Sequence, residues 1–437
     1  MQRRNFMKSG AGAMGLPLLA QTTSSRQETR TSTAQTTSSG GFSQARLARM
    51  HDVMAAYVQR GDVPGIVTLL SRRGQVHVDA IGTKAAGGVG PMRRDTIFRI
   101  ASMTKPVTAV AVMILVEECK LRLDEPVDGL LPELAARKVL KRLDGPLDDT
   151  VPAHRPITVR DLLTFRMGIG LVMAPPDKYP ILKAMQEQKV DISPYLSTAP
   201  GPDAWISGLG SLPLMYQPGE RWMYHTGSEV LGVLIARASG RPLERFFRER
   251  IFEPLGMKDT GFSVPAAKLD RLAAAYQLDP TTGRLIVFDD APGSRWSRPP
   301  AFESGGGGLV STVDDYLAFS RMMLNKGKSG GERILSRLSI ELMTTDHLTP
   351  EQKTVSGFFP GFWDSRGWGF GVCVITRRDH LASVPGRFGW DGGYGTSAYS
   401  DPAEDMVGIL MTQRLLDPAA MNLHTDFWTS AYQAIAD

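Results

Sequence analysis

Ser102 and Lys105 stand three positions apart in the stretch FRIASMTKPVTAV, residues 98–110, just before a long apolar run. A serine hydroxyl is a weak nucleophile while it keeps its proton, so it needs a neighbouring base that is deprotonated at neutral pH. Residues three apart on a helix share a face, which brings the Lys105 amine within reach of the Ser102 hydroxyl, and burial against the apolar run would lower the amine's pKa. The start of a helix also favours a developing anion. The same two residues equally describe a helix-start serine beside an ordinary lysine, because S-x-x-K is short and built from common residue types. The rest of the chain has to separate the two readings.

Other chemistries find little support. The loop GKSGG, residues 327–331, matches G-x-S-x-G, but it follows a helical pattern and sits in a Lys/Gly loop, whereas a nucleophile elbow needs a strand before it and a helix after it. Neither this loop nor GGGG at 305–308 has the spacing that cradles phosphates. The seven histidines form no H-E-x-x-H and no Cys/His cluster, so neither a metal nor an organic cofactor is expected. Arg3, Arg4 and Lys8 supply three of the five net positive charges, and no basic block interleaved with aromatics occurs elsewhere, so no nucleic-acid partner is expected.

The elements that would position a site can be read from periodicity. Residues 1–20, MQRRNFMKSGAGAMGLPLLA, resemble a twin-arginine export leader, which implies a periplasmic or secreted protein with no membrane anchor after removal. Residues 21–40 are small and polar and predict a flexible linker. A helix is expected over SQARLARMHDVMAAYVQR, then a hairpin centred on Gly74, then a buried helix presenting Val107, Val110, Ala111, Ile114 and Leu115. Farther on, Ser228 is the expected N-cap of SEVLGVLIARASG, Gly240 its end and Pro242 the start of the next helix, and Thr312 with Asp315 suggests a capping box.

The last hundred residues return to strand patterns, GWGFGVCVIT, TSAYSD and MVGILMTQ, and close on a helix containing FWTSAYQAIA. The expected architecture is α/β in the α+β sense: one antiparallel sheet built from N- and C-terminal segments, flanked by helices, with an inserted and mainly helical subdomain. On this reading the folded domain spans 41–437, its α/β part 41–120 and 305–437 and its helical part 121–304. Cys119 and Cys373 lie in apolar stretches and read as core thiols, with a disulfide left open.

Three separated motifs carry a resemblance that spans roughly residues 45–430: FRIASMTKPVTA, ITVRDLLTFRMGI, and the block from PLMYQPGERWMYHTG to MKDTGF, residues 213–262. Together they resemble the serine β-lactamase-like family of class C β-lactamases, D-Ala-D-Ala peptidases and family VIII carboxylesterases. The resemblance implies that Ser102 is the nucleophile, Lys105 its base and Tyr224 the proton shuttle, with Thr226 at the family's usual asparagine position. The family's K-[TS]-G motif falls on WDGG, Trp390 to Gly393. There the lysine is missing, as in the W-G-G of family VIII esterases. The backbone N–H groups of Ser102 and Gly393 would form the oxyanion hole, and Trp390, Asp391, Gly392 and Thr226 would meet the substrate.

Losing that lysine removes a partner for a substrate carboxylate, and Asp391, if it faces the cleft, would repel one. The expected substrate is therefore a small neutral ester, with Trp390 as an apolar wall, although Arg387, Arg366 or His225 would restore positive charge if they reached the cleft. The reaction would pass through an acyl-enzyme that water, or an acceptor alcohol, resolves. Two alternatives stay open: a β-lactamase or peptidase acting on cell-wall-like amides, and a silent binding protein that keeps the fold.

Overall fold

The computed structural model of the chain describes residues 40–88, 90–190, 199–418 and 420–437. The expected leader and all but the last residue of the expected linker lie outside these. Among the described residues, no helix is long and apolar enough to cross a membrane.

A seven-stranded antiparallel sheet forms the centre, and its strands do come from both ends of the sequence. Strands β1 (Gly65–Arg72) and β2 (Gln75–Gly82) form a hairpin whose two loop residues, Arg73 and Gly74, both have positive φ, the geometry that a two-residue turn requires of right-twisted strands. Strands β3 (Arg366–Trp368), β4 (Cys373–Ile375), β5 (Phe388–Gly392), β6 (Thr396–Asp401) and β7 (Met406–Met411) complete the order β3-β4-β5-β6-β7-β1-β2. The C-terminal β7 pairs directly with the N-terminal β1, Val67 opposite Met411.

Every residue of β1 is buried, as a central strand covered on both faces should be, and its alternation sorts the core into two layers. Val67 and Leu69 join the cluster holding helix α2 (Thr104–Glu117), whereas Ile66 and Leu70 face helix α1 (Gln44–Gln59) and helix α5 (Met421–Gln433). Helix α4 (Val313–Leu324) lies against the sheet on the α2 side. Residues 121–304 carry helices, among them α3 (Thr226–Ser239), and two short antiparallel pairs, Lys138–Leu140 with Thr150–Pro152 and Ala275–Leu278 with Leu285–Asp289.

Three local expectations are corrected. Helix α3 begins at Thr226, with His225 in the cap position, so Ser228 is a buried residue of the first turn rather than the N-cap; Gly240 does end the helix, at φ 66°. Thr312 accepts from the Asp315 N–H, but the Asp315 carboxylate turns to Asp259 N–H and the Thr260 hydroxyl, leaving half a capping box. Cys373 is buried, whereas Cys119 is exposed, and both are free thiols. Cys119 takes the left-handed position just past α2 (φ 57°), which turns the chain out of the core.

Candidate active site

Ser102 lies in a short helical turn, Ala101–Met103, that runs into α2. Its approach is fixed from below by Phe98 and Arg99, which pair with Val310 and Ser311. Helix α2 is apolar nearly all round and buried from Thr104 to Leu115, so Lys105, one turn after Ser102, is carried into the core at 1% exposure.

The buried amine has three neighbours. Lys105 Nζ lies 2.9 Å from Ser102 Oγ, 2.6 Å from the Gly306 carbonyl oxygen, and 4.5 Å from the centre of the Tyr224 ring. Burial lowers its pKa from 10.5 to about 7, against the pull of the Glu229 carboxylate, which raises it. A neutral amine in this position can accept the Ser102 proton while donating to Gly306.

Tyr224 is held by backbone as much as by side chain. The Leu171 N–H donates to the Tyr224 carbonyl, an approach that leaves no room for a side chain at Gly170, whose Cβ would stand 2.6 Å from that oxygen. The phenol accepts a hydrogen bond from Trp390 Nε1 at 2.7 Å and hydrogen-bonds to Ser102. Burial pushes the Tyr224 pKa well above 10, and those two hydrogen bonds only partly offset it. At neutral pH the phenol therefore keeps its proton, which suits it to relay a proton rather than to serve as the resting base. Phe165, Trp222, Phe358 and Trp390 surround its ring at 5.0–5.7 Å between centroids.

Ser102 and Lys105 from one motif and Tyr224 from another, distant one are thus brought together. The residues of WDGG divide. Strand β5 ends against the serine's approach: a Cβ on Gly392 would stand 2.3 Å from the Ile100 carbonyl oxygen, so only glycine fits there. Gly393 follows as an exposed residue whose carbonyl accepts from the Leu416 N–H at 2.9 Å. Trp390 is only 6% exposed, so instead of walling a pocket it packs edge-on against Trp368 and donates to Tyr224. Thr226 is buried at the start of α3, lining a small cavity with His225, Leu171 and Pro176.

Asp391 does not meet this site. Side chains alternate along a strand, so the residue after Trp390 points through the opposite face. Its carboxylate accepts from Ser397 Oγ (2.6 Å) and Tyr399 OH (3.2 Å) and stands 3.8 Å from His424 Nδ1. Burial opposes its ionisation, but the His424 and Ser397 hydrogen bonds hold the carboxyl below its usual range. Arg366 and Arg387 line a cavity on that same far side, so neither supplies positive charge beside Ser102.

One site residue escaped the sequence reading. Glu229, fully buried on α3, accepts from Ser304 Oγ at 2.7 Å and from the backbone of Gly305 and Gly306. Burial raises its pKa, and the nearby Lys105 pulls it back. The Gly306 peptide therefore links the two ionisable groups, its carbonyl on Lys105 and its N–H side on Glu229. A Cβ at Gly306 would stand 2.3 Å from Glu229 Oε1, which accounts for glycine there. The available signal was a lone carboxylate inside the apolar run SEVLGVLIA.

Because Glu229 raises the Lys105 pKa, Glu229→Gln, which keeps an acceptor for Ser304, is expected to move the acidic limb of the kcat/KM–pH profile to lower pH. An unmoved limb in a pH series on a chromogenic ester would separate Glu229 from the lysine.

The chain matches the family described as Beta-lactamase over residues 50–433. "Protein Rv1367c" of Mycobacterium tuberculosis is 42% identical over 82% of this chain and 87% of its own. "Esterase EstB" of Burkholderia gladioli is 29% identical over 84% of this chain and 90% of its own. Among solved structures, "EstCE1, a hydrolase with promiscuous acyltransferase activity" superposes with a TM-score of 0.74 at 26% identity, covering 90% of this chain and 99% of that one. With the family match running through nearly all of the sheet and the helices around it, this protein belongs to the Beta-lactamase family, the β-lactamase/transpeptidase-like group of serine hydrolase-type enzymes.

Proposed function

We propose that the chain is an exported carboxylesterase that acts on small neutral esters through a Ser102 acyl-enzyme. The observation that carries this reading is the buried Lys105 amine, 2.9 Å from the Ser102 hydroxyl with the Tyr224 ring beneath it. Lys105 takes the Ser102 proton as the hydroxyl attacks the ester carbonyl, while the Ser102 and Gly393 backbone N–H groups hold the oxyanion. Tyr224 passes a proton to the leaving alcohol. Water then releases the acid, or an acceptor alcohol takes the acyl group in transesterification. A neutral substrate is favoured because WDGG lacks the lysine of K-[TS]-G and the arginines considered as replacements lie beyond the sheet. The aromatic surround of Tyr224, with Phe359 59% exposed nearby, favours apolar acyl or alcohol groups. Export rests on Arg3, Arg4 and the apolar run behind them.

Intact-mass analysis after treatment with a fluorophosphonate tests the nucleophile, with one adduct expected on the wild type and none on Ser102→Ala. An unlabelled wild type favours the silent binding protein. Turnover of p-nitrophenyl butyrate is expected to exceed that of nitrocefin; nitrocefin turnover that equals or surpasses it would give the site to amides.

A further inference from the structure

Across the sheet from Ser102, a cavity of about 370 Å³ opens between β5, β6 and the first turns of α5. Among the described residues, its polar lining carries two guanidinium groups that form no close ion pair. Arg387 is 6% exposed, yet its charge is met by the Ala382 carbonyl oxygen at 2.6 Å and by the faces of Trp428 (3.8 Å), Tyr399 (4.3 Å) and Tyr432 (5.5 Å). Its Nε is buried with no acceptor. Arg366, half-buried, lies over the Phe362 ring at 5.1 Å. Among the described residues, neither has a carboxylate within 4.0 Å.

A buried cation without a directly paired carboxylate is costly, and stacking on aromatic faces repays only part of that cost. The acids that share the cavity are otherwise engaged. Asp391 is hydrogen-bonded to Ser397 and Tyr399 beside His424, and Asp379 to Ser365 and Ser383, so both reach Arg366 only through longer-range attraction. His424, 5% exposed, has its Nε2 buried without a partner.

We propose that this cavity is a binding site for a small carboxylate, held by Arg387 and Arg366 and distinct from the Ser102 site. The planar fork of a guanidinium matches a carboxylate in shape and charge. A monoanion suits the two nearby aspartates better than a phosphate dianion does. Ile375, Ala382, Met421 and Trp428 offer the apolar wall for a short chain or a single ring, in a volume typical of small-molecule sites.

Isothermal titration of the full chain with benzoate, and with benzamide as the uncharged analogue of the same shape, tests this. Benzoate is expected to bind, and benzamide at least about tenfold more weakly, the scale of a hydrogen bond to a charged group. Arg387→Lys and Arg366→Gln should each weaken benzoate by a similar factor, while Ser102→Ala leaves its affinity unchanged. If Arg387→Lys fails to fold, the half-buried Arg366→Gln carries the test by itself. No benzoate binding by the wild type, equal affinity for the amide, unchanged affinity in the arginine variants, or loss in Ser102→Ala would each overturn the proposal.

Discussion

Replacing Lys105 by alanine, or Tyr224 by phenylalanine, is expected to lower kcat by at least ~100-fold, the usual scale for a lost acid–base group. For Lys105 the argument is proximity and charge. The amine lies 2.9 Å from Ser102 Oγ, and burial brings its pKa to about 7, so a sizeable fraction is deprotonated at neutral pH. For Tyr224 the phenol hydroxyl is removed while the ring packing against Phe165, Trp222 and Phe358 stays. Phenylalanine leaves Trp390 Nε1 without its acceptor and removes the phenol's hydrogen bond with Ser102, local costs that unfolding curves would show to be small beside the kinetic loss. Lys105→Met, nearer in volume than alanine, controls for the cavity that alanine would leave. Near-normal turnover in either the lysine or the tyrosine variant, measured on protein with wild-type circular dichroism, would remove that residue from the mechanism.

The second large effect concerns stability. Arg99, three residues before Ser102, is 3% exposed and forms an ion pair with Asp289, itself 6% exposed. Ser294 completes the arrangement, accepting from Arg99 at 2.9 Å and donating to Asp289 at 2.7 Å. Asp289→Ala strands the guanidinium in the core, so a loss of about 3–5 kcal/mol is expected, the scale for breaking a buried pair. Urea unfolding would read this as a lower midpoint. The double replacement Arg99→Met with Asp289→Leu should recover much of the loss, because a buried pair contributes little net stability over apolar residues. Full stability in Asp289→Ala would mean that Arg99 finds another acceptor.

Much of the architecture was legible because it rests on period. The Gly74 hairpin, the all-apolar α2 and the return to strand patterns near the C-terminus each follow from spacing alone, and β7 pairing with β1 is the consequence. The face of Asp391 was missed: the sequence reading set both Trp390 and Asp391 against the substrate, although neighbours on a strand point to opposite faces and both cannot enter one cleft. Glu229, the Gly306 carbonyl and the Trp390 hydrogen bond were not legible, because each depends on a contact between segments far apart in the chain. Ser228 misled because its residue type suits a cap, whereas the helix starts three residues earlier, with the His225 carbonyl in the cap position accepting from the Ser228 N–H. Cys119 misled because an apolar neighbourhood in sequence says nothing of the left-handed residue that ends a helix.

The central claim is that a largely neutral Lys105 activates Ser102. The most direct measurement is the rate constant for phosphonylation of Ser102 by a fluorophosphonate as a function of pH. Since burial lowers the lysine pKa, the rate should rise as the amine loses its proton, with a midpoint near pH 7 and a plateau above it, and Lys105→Ala should lose this titration. A rate that climbs only near the ordinary lysine range, around pH 10, or a profile unchanged in Lys105→Ala, would contradict the account.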